Sequence, residues 1–536
     1  MAMLGLETAF VLLVTCVFET ATSTGTHHLY TLPLKRAREI GLEEIFAESE
    51  KDVSSINNNG QRNNIRGRPG LGYYVEVGVG TPPQTLNVLI DTGSSNFAVA
   101  AAPHEAITTF FQREDSSSYE DQHTEVKVPY TQGEWSGDLG RDVVQIPSVN
   151  ETLVTANIAA ITQSEEFFLN GSHWQGILGL AFADIARPDS SVEPFFHSLT
   201  RQTDIADIFA LQMCGTLMAK NDSKAANATE APITDVIGSM NIGGIDRTLY
   251  HGDIQYTPIR RDWFYEVIMT DMKVDNTSLG MDCKEYNFDK TIVDSGTTNL
   301  RLPTRVFNQT TAAIEQYVEK HMPSGPDIPA DFWSGDVLMC PMDLTLPYEP
   351  FHWFPTLTLD LQSTTKGQAF SLVVSPQQYL RHEYDNKEKK NCYKFGITPS
   401  ADSAGTVIGA VVMEGFYVIF DRENNRVGFA KSSCSDSCGA EESCVYRPPY
   451  VSGTFGLDID PEDCGYVRSS GYSPALMITA YILAAICLLF LLPIIVLTVN
   501  YQMNQRCKGR RGRGVVSHSR LNQEVPINNE TEADDP

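Results

Sequence analysis

From Tyr73 onward, short runs of β-branched and aromatic residues recur between Gly, Pro, Asn and Asp turns: YYVEVGVG, LNVLIDTG, DVVQIP, TANIAAIT, SMNIGGI, TIVDSG, FYVIFD and RVGFA. Runs this short, alternating and bounded by turn residues, predict a mostly antiparallel, all-β protein. Helical periodicity is best developed over Val192–Thr200 and Thr304–Glu319. Upstream, Thr24–Pro69 is polar, contains KRAR at Lys35–Arg38 and the run NNNGQRNN, and has little apolar periodicity. It reads as a loosely structured pro-segment and linker, with Arg38 or Arg68 as the processing site.

Two apolar runs differ in kind. Ala9–Phe18 has the length of a signal-peptide h-region, and the small residues Ala21 and Ser23 follow it, although Glu7 replaces the usual basic n-region. Ala475–Val499 is 25 residues without a charge, enough to cross about 30 Å of hydrocarbon with some tilt. Pro493 is tolerable in such a helix. Arg506, Lys508, Arg510, Arg511 and Arg513 follow it, so the C-terminal side should be cytosolic. The expected order is signal peptide 1–23, pro-segment and linker 24–69, a half carrying Asp91 over 70–255, a half carrying Asp294 over 256–456, stalk 457–474, membrane helix 475–499 and cytosolic tail 500–536.

Charge narrows the partners. The chain carries a net −27, and its last 36 residues, from Tyr501, contribute +1, so the first 500 carry −28. Such an acidic body is a poor match for nucleic acid, whose phosphates need cations, and is compatible with an acidic compartment. The lipid bilayer is the partner the membrane helix implies. Eight of the 11 cysteines (Cys214, Cys283, Cys340, Cys392, Cys434, Cys438, Cys444, Cys464) fall between signal and membrane. Their even number and oxidising location favour disulfides. They form no CxxC pair or His cluster with zinc spacing, so neither metal nor cofactor is expected. Sequons at Asn150, Asn170, Asn221, Asn227, Asn276 and Asn308 suit glycosylation on the secretory path.

The chemistry lies in an internal repeat. VLIDTGSSNFAV around Asp91 resembles TIVDSGTTNLRL around Asp294, 203 residues later. Each is followed by an apolar-apolar-Gly element, Ile177-Leu178-Gly179 after 88 residues and Val407-Ile408-Gly409 after 115. A duplicated unit of this size predicts two lobes with the Asp loops facing each other. In each loop a buried β-branched run fixes where the strand end points. Gly93 and Gly296 admit another backbone. Ser94 and Thr297 can donate to the carboxylates, and Thr92 and Ser295 can bond across to the opposite loop. Facing carboxylates share one proton, so one can deprotonate a water while the other donates to a carbonyl. A single D-T/S-G tripeptide is usually a surface turn; two copies in equivalent settings are not. Tyr130, in VPYTQGEWSGDLG, sits on a hairpin that can close over a cleft. No G-x-S-x-G, H-E-x-x-H or P-loop offers another plan.

These residues resemble the pepsin-like (A1) aspartic proteases, and among them the memapsin-type, membrane-anchored beta-secretase family. DTGSSNFAVAAAPH, VPYTQGEW, GILGLAFADIARPD, MDCKEYNFDKTIVDSGTTNLRLP and MEGFYVIFDRENNRVGFA carry the likeness, with Ala98 where ordinary pepsins have an aromatic. The resemblance implies a bilobal pepsin-like fold with a single C-terminal transmembrane helix. It implies Asp91 and Asp294 as the catalytic pair and Tyr130 as the flap tyrosine. Thr131, Gln132, Arg187, Gly296, Thr297 and Thr298 would line the substrate cleft. It also implies disulfides Cys214–Cys434, Cys283–Cys464 and Cys340–Cys392. Cys438 and Cys444 fall outside that scheme and are expected to pair with each other. The implied substrates are type I membrane proteins, amyloid-precursor-like ones foremost, cut at acidic pH by an enzyme of the cell surface and endosomes.

Two positions depart from the family. Asp271 stands where the vertebrate enzymes have a basic residue, which would weaken a preference for an acidic side chain if it faced the substrate. The tail ends in ETEADDP without an acidic di-leucine signal. Competing readings are a catalytically silent membrane receptor, against which both intact Asp loops argue, and a general digestive or endolysosomal protease, against which the anchor argues.

Overall fold

The computed structural model describes residues 29–36, 72–130, 133–146, 153–168, 174–215, 236–322, 328–340, 350–385, 390–400, 405–434, 449–466 and 474–510. It divides into two compact units, Met1–Val467 and Arg468–Pro536. Among the described residues the first contains 25 strands: β1 (Tyr30–Arg36), β2 (Tyr73–Val79), β3 (Gln84–Asp91), β4 (Phe97–Ala100), β5 (Glu120–Pro129), β6 (Glu134–Gln145), β7 (Leu153–Glu165), β8 (Gly176–Gly179), β9 (Ile208–Met213), β10 (Val236–Ile242), β11 (Tyr250–Pro258), β12 (Met269–Val274) and β13 (Thr277–Ser278). The series continues with β14 (Thr291–Val293), β15 (Leu300–Leu302), β16 (Leu357–Gln362), β17 (Gln368–Val374), β18 (Leu380–Asp385), β19 (Lys390–Phe395), β20 (Ile397–Pro399), β21 (Thr406–Ile408), β22 (Phe416–Asp421), β23 (Arg426–Ser432), β24 (Tyr450–Val451) and β25 (Phe455–Gly456). Strands dominate, as the alternating runs predict.

Thirteen of them form one sheet in the order β11-β23-β22-β9-β10-β1-β2-β3-β8-β4-β7-β6-β5. Strands from both sequence halves meet there: β22 of the second half pairs antiparallel with β9 of the first. β11 runs across the expected junction at 255/256 and pairs with β23. A four-stranded sheet (β14-β21-β15-β20), a second sheet built on β12, β16 and β17, and the two-stranded pair β18-β19 complete the second half among the described residues.

The main helices lie close to the expected positions. α1 (Phe195–Gln202) buries Phe195, Phe196, Ser198 and Leu199. α2 is the single turn Cys283–Tyr286, capped by the Asp282 carboxylate. α3 (Thr304–His321) buries Val306, Thr310, Ile314 and Val318, one residue per turn along a single stripe, with Phe307 and Thr311 beside it. Lys320 and His321 close its last turn, where cations suit the helix dipole.

Two expectations change. The stretch read as loosely structured contains β1, which pairs with β10 from Tyr30 to Lys35 and with β2 at Lys35 and Arg36. Its period-two pattern is short but real: Leu32 and Leu34 are buried while Thr31 and Pro33 are exposed. Each fully buried leucine contributes roughly 2 kcal/mol, enough to hold so short a strand once its neighbours exist. Part of the segment expected to be a stalk is also folded. β25 pairs with β17, a 3-10 turn covers Pro461–Cys464, and Cys464 is bonded to Cys283. The compact unit therefore reaches Val467.

Disulfides Cys214–Cys434, Cys283–Cys464 and Cys340–Cys392 are present; Cys438 and Cys444 lie outside the described residues. Of the sequons, Asn276 and Asn308 are exposed, and Asn150, Asn170, Asn221 and Asn227 lie outside the description, as does the expected signal peptide. The second unit contains α4 (Pro474–Arg510), a 37-residue helix with Pro493 inside it. Its segment Tyr481–Met503 is long and apolar enough to cross a membrane, displaced by several residues from the 475–499 read in the sequence.

Candidate active site

Each Asp loop begins on a strand held from both sides. β3 pairs antiparallel with β2 and parallel with β8, so Val88, Leu89 and Ile90 are buried and Asp91 is set opposite Gly179. In the second half, β14 pairs parallel with β21, and the Asp294 amide donates to the Ile408 carbonyl at 3.1 Å. The two apolar-apolar-Gly elements are thus the parallel partners of the two Asp strands.

The loops face each other and are tied by a symmetric set of bonds. Thr92 Oγ1 donates to the Val293 carbonyl (2.9 Å) and accepts from the Ser295 amide (2.9 Å). Ser295 Oγ donates to the Ile90 carbonyl (2.8 Å) and accepts from the Thr92 amide (3.1 Å). All of these groups are buried, where an unpaired polar atom costs about 1–3 kcal/mol. Each hydroxyl satisfies one donor and one acceptor of the opposite chain segment, which fixes the separation of the loops.

Above this ring sit the carboxylates. Gly93 N and Ser94 Oγ donate to Asp91, at 2.8 and 2.5 Å. Gly296 N and Thr297 Oγ1 donate to Asp294, at 2.8 and 2.7 Å. A Cβ on Gly93 would lie 2.5 Å from Asp294 Cγ, and one on Gly296 would collide with Asp91 Oδ1. Only glycine at both places lets each carboxyl approach the opposite loop. Thr298 is half-buried in the same turn, its carbonyl accepting from the Val411 amide.

Electrostatics follow from the geometry. Both carboxyls are buried, at 4% and 8% exposure for Asp91 and Asp294. Burial first, and the Asp294 charge second, push the Asp91 carboxyl up to about 8, against the opposing bonds from Ser94 and Gly93. Two acids this close cannot both ionise cheaply, which favours the protonated form of Asp91.

A hairpin of β5 and β6 reaches over the pair. At its tip the Tyr130 amide donates to the Gly133 carbonyl at 3.0 Å. Trp135 Nε1 donates to the Tyr130 hydroxyl at 3.3 Å, and the Tyr130 ring stacks on Phe167 with centroids 5.5 Å apart. Phe167 packs in turn on Phe168 and Trp174. Burial, with the nearby Asp91 charge behind it, raises the Tyr130 hydroxyl above the ordinary phenol range, so it stays a neutral donor. Thr131 and Gln132 lie outside the described residues.

Other named positions are less central. Arg187 is exposed, and its backbone is clamped by the Asn96 side chain at 2.9 and 2.8 Å. Asp271, on β12, accepts from Ser278 Oγ (2.8 Å) and the Tyr286 hydroxyl (3.3 Å), so its carboxylate is used in tying β12 to β13 and α2. Two further residues escaped the sequence reading. Phe167 is legible there only as half of an FF pair. Arg301, on β15, feels the Asp294 charge while burial depresses its pKa, and its Nε is buried without a hydrogen bond. Among the described residues no three His, Cys, Asp or Glu side chains gather as a metal site would.

Comparison with known proteins bears on the same region. The family model for eukaryotic aspartyl protease matches residues 72–432, both Asp loops included. A beta-secretase of Strongylocentrotus purpuratus is 62% identical over 522 residues, covering 97% of this chain and 96% of its own length. Pepsin A of Sus scrofa is 26% identical over 366 residues, covering 67% of this chain and 80% of its own. Renin of Ovis aries is 27% identical over 368 residues with the same coverage.

Proposed function

The chain belongs to the eukaryotic aspartyl proteases and, within them, to the beta-secretases, and from that membership we propose that Asp91 and Asp294 hydrolyse peptide bonds by activating a water held between them. One carboxylate, ionised, takes a proton from the water. The other, protonated, donates to the scissile carbonyl, and the oxygen of the water adds to its carbon. The resulting tetrahedral centre carries two hydroxyls. Its collapse returns a proton to the leaving nitrogen, breaks the C–N bond and restores the singly protonated pair. The observation that carries this reading is the mutual seating of the carboxyls, Asp91 against Gly296 and Asp294 against Gly93.

The hairpin bearing Tyr130 and Trp135 acts as the cover that excludes water and positions the peptide. Arg187, Thr131, Gln132, Thr297 and Thr298 are assigned to the walls of the peptide cleft. The substrates are ectodomains of type I membrane proteins, amyloid-precursor-like ones foremost. One C-terminal apolar helix fits a single-pass membrane protein; we assign it a type I orientation, with the protease lumenal or extracellular at the cell surface and in endosomes. We read the residues before the protease domain as a signal and a pro-segment, and the sequons as glycosylated.

The test is to present the chain's lumenal part, after cleavage within the pro-segment, with a randomised peptide library between about pH 4 and 7, the span over which a coupled carboxylate pair keeps one proton. Endoproteolysis with an acidic optimum is expected. Absence of cleavage, or cleavage that survives loss of both aspartates, refutes the reading.

A further inference from the structure

Behind the Asp91 loop lies a buried arginine that the peptide chemistry does not use. Arg422, in the turn after β22, is 4% exposed. Its guanidinium stacks over Phe182, with the central carbon 4.4 Å from the ring centroid. Its Nε donates to Asp207 Oδ1 at 2.8 Å. One terminal nitrogen donates both to the Leu180 carbonyl (3.1 Å) and to the Tyr265 hydroxyl (2.9 Å). That hydroxyl also donates to the Leu180 carbonyl, at 2.6 Å. Leu180 directly follows Gly179, and its amide donates to the Asp91 carbonyl at 2.8 Å. The order of contact is therefore Arg422, Leu180, Asp91.

The remaining terminal nitrogen of Arg422 meets His197 of α1, 2.8 Å from Nε2 and 3.4 Å from Nδ1. An arginine in a protein stays protonated and can only donate. His197 must therefore accept through a ring nitrogen, which requires a neutral ring. An imidazolium has no acceptor and would place a second positive charge against the guanidinium. Three acids face His197, namely Asp207, Glu193 on the N-terminal side of α1, and Asp262. Two of them are engaged elsewhere: Asp207 holds Arg422, and Glu193 holds Arg201 and Ser198. Burial and the Arg422 charge lower the His197 pKa, the three acids opposing them.

We propose that His197 is a pH-sensitive positioning residue, which as a neutral acceptor steadies Arg422 on the Leu180 carbonyl behind Asp91 and on protonation releases it. The proposal rests on Asp91 and Asp294 being the catalytic pair. The activity then carries an acid limit set outside that pair: below the ring's titration the loop beneath Asp91 loosens and kcat falls while KM moves little.

The experiment measures kcat/KM and kcat against pH for the activated lumenal enzyme on one quenched fluorogenic peptide. In the unmodified chain the acid limb is expected to fall with two protons, approaching about a hundredfold per pH unit, one proton accounting for about tenfold. His197→Asn keeps an acceptor that does not titrate, and its acid limb should fall with one proton. Glu193→Gln leaves His197 in place and removes an acid that favours imidazolium, so it should move the histidine-dependent limb to lower pH. A residue of merely structural importance would shift none of these slopes. Superimposable normalised profiles for the unmodified chain and either variant overturn the proposal for His197. Absence of activity at every pH in the unmodified chain overturns the dyad reading and this proposal with it.

Discussion

Thr92 and Ser295 each give a hydroxyl hydrogen to the backbone of the other's strand and take an amide hydrogen from the other's residue. Four hydrogen bonds among two residue pairs make a closed ring, so neither half of the site has an independent position. Removing one member should cost more than one bond. Thr92→Val strands the Val293 carbonyl and the Ser295 amide in a buried place, and is expected to lower stability by about 1–3 kcal/mol and kcat more than KM. Ser295→Ala should do the same, and the double variant should lose clearly less than the sum. Denaturant unfolding of the four proteins decides it; strict additivity would mean that the ring is not a unit.

The carboxyl pair makes a linked prediction for activity and stability. Asp91→Asn and Asp294→Asn should each lower kcat by on the order of 10³-fold or more. Because the native state raises the Asp91 carboxyl from 3.8 to about 8, it binds a proton that the unfolded chain releases. Stability from this group is complete below 3.8 and is lost as pH rises through about 8. Asp91→Asn, which cannot ionise, should therefore melt higher than the unmodified chain at pH near 7 and lose that advantage towards pH 4. A melting difference independent of pH would contradict the coupling.

Tyr130 combines a stacked ring with a hydroxyl that accepts from Trp135. Tyr130→Phe keeps the stack and should lower kcat/KM by only about threefold, the scale of one weak hydrogen bond. Tyr130→Ala removes the contact with Phe167 and should lower it by about tenfold or more through loss of substrate positioning. Steady-state kinetics on one peptide separates the two, and equal losses would mean that the hydroxyl rather than the ring does the positioning.

At Asp271 the bonds to Ser278 and Tyr286 point to the framework rather than to the peptide. Asp271→Arg is expected to cost about 1–2 kcal/mol of stability, from the hydroxyls left without their acceptor, and to leave the cleavage preferences in a peptide library unchanged. A new preference for acidic residues in the library would restore Asp271 to the cleft.

Much of the site is legible in the sequence because its parts are local. The dyad glycines, the hydroxyl residues beside them and the β-branched runs before them all lie within a few residues of each aspartate. Gly179 and Gly409 are legible by repetition, and the fold supplies the reason. A Cβ at Gly179 would stand 2.6 Å from the Ser95 backbone, and one at Gly409 would stand 2.6 Å from the Thr297 carbonyl oxygen. What the sequence hides is assembled across distance. Arg422 and His197 are 225 residues apart and belong to no shared pattern. Phe167 matters only because a hairpin brings Tyr130 onto it. β1 hides for another reason: two leucines in a four-residue alternation fall below any useful periodicity, and only the gap between β10 and β2 gives them a place.

That place has a consequence for processing. A cut after Arg38 or after Arg68 would sever the backbone without removing a strand, since β1 is held by β10 along six residues and meets β2 at its end. The matured enzyme would then be two chains that share one sheet, a single species under native conditions and two under denaturing ones. The short peptide, once displaced, would leave two unsatisfied strand edges in the middle of the molecule.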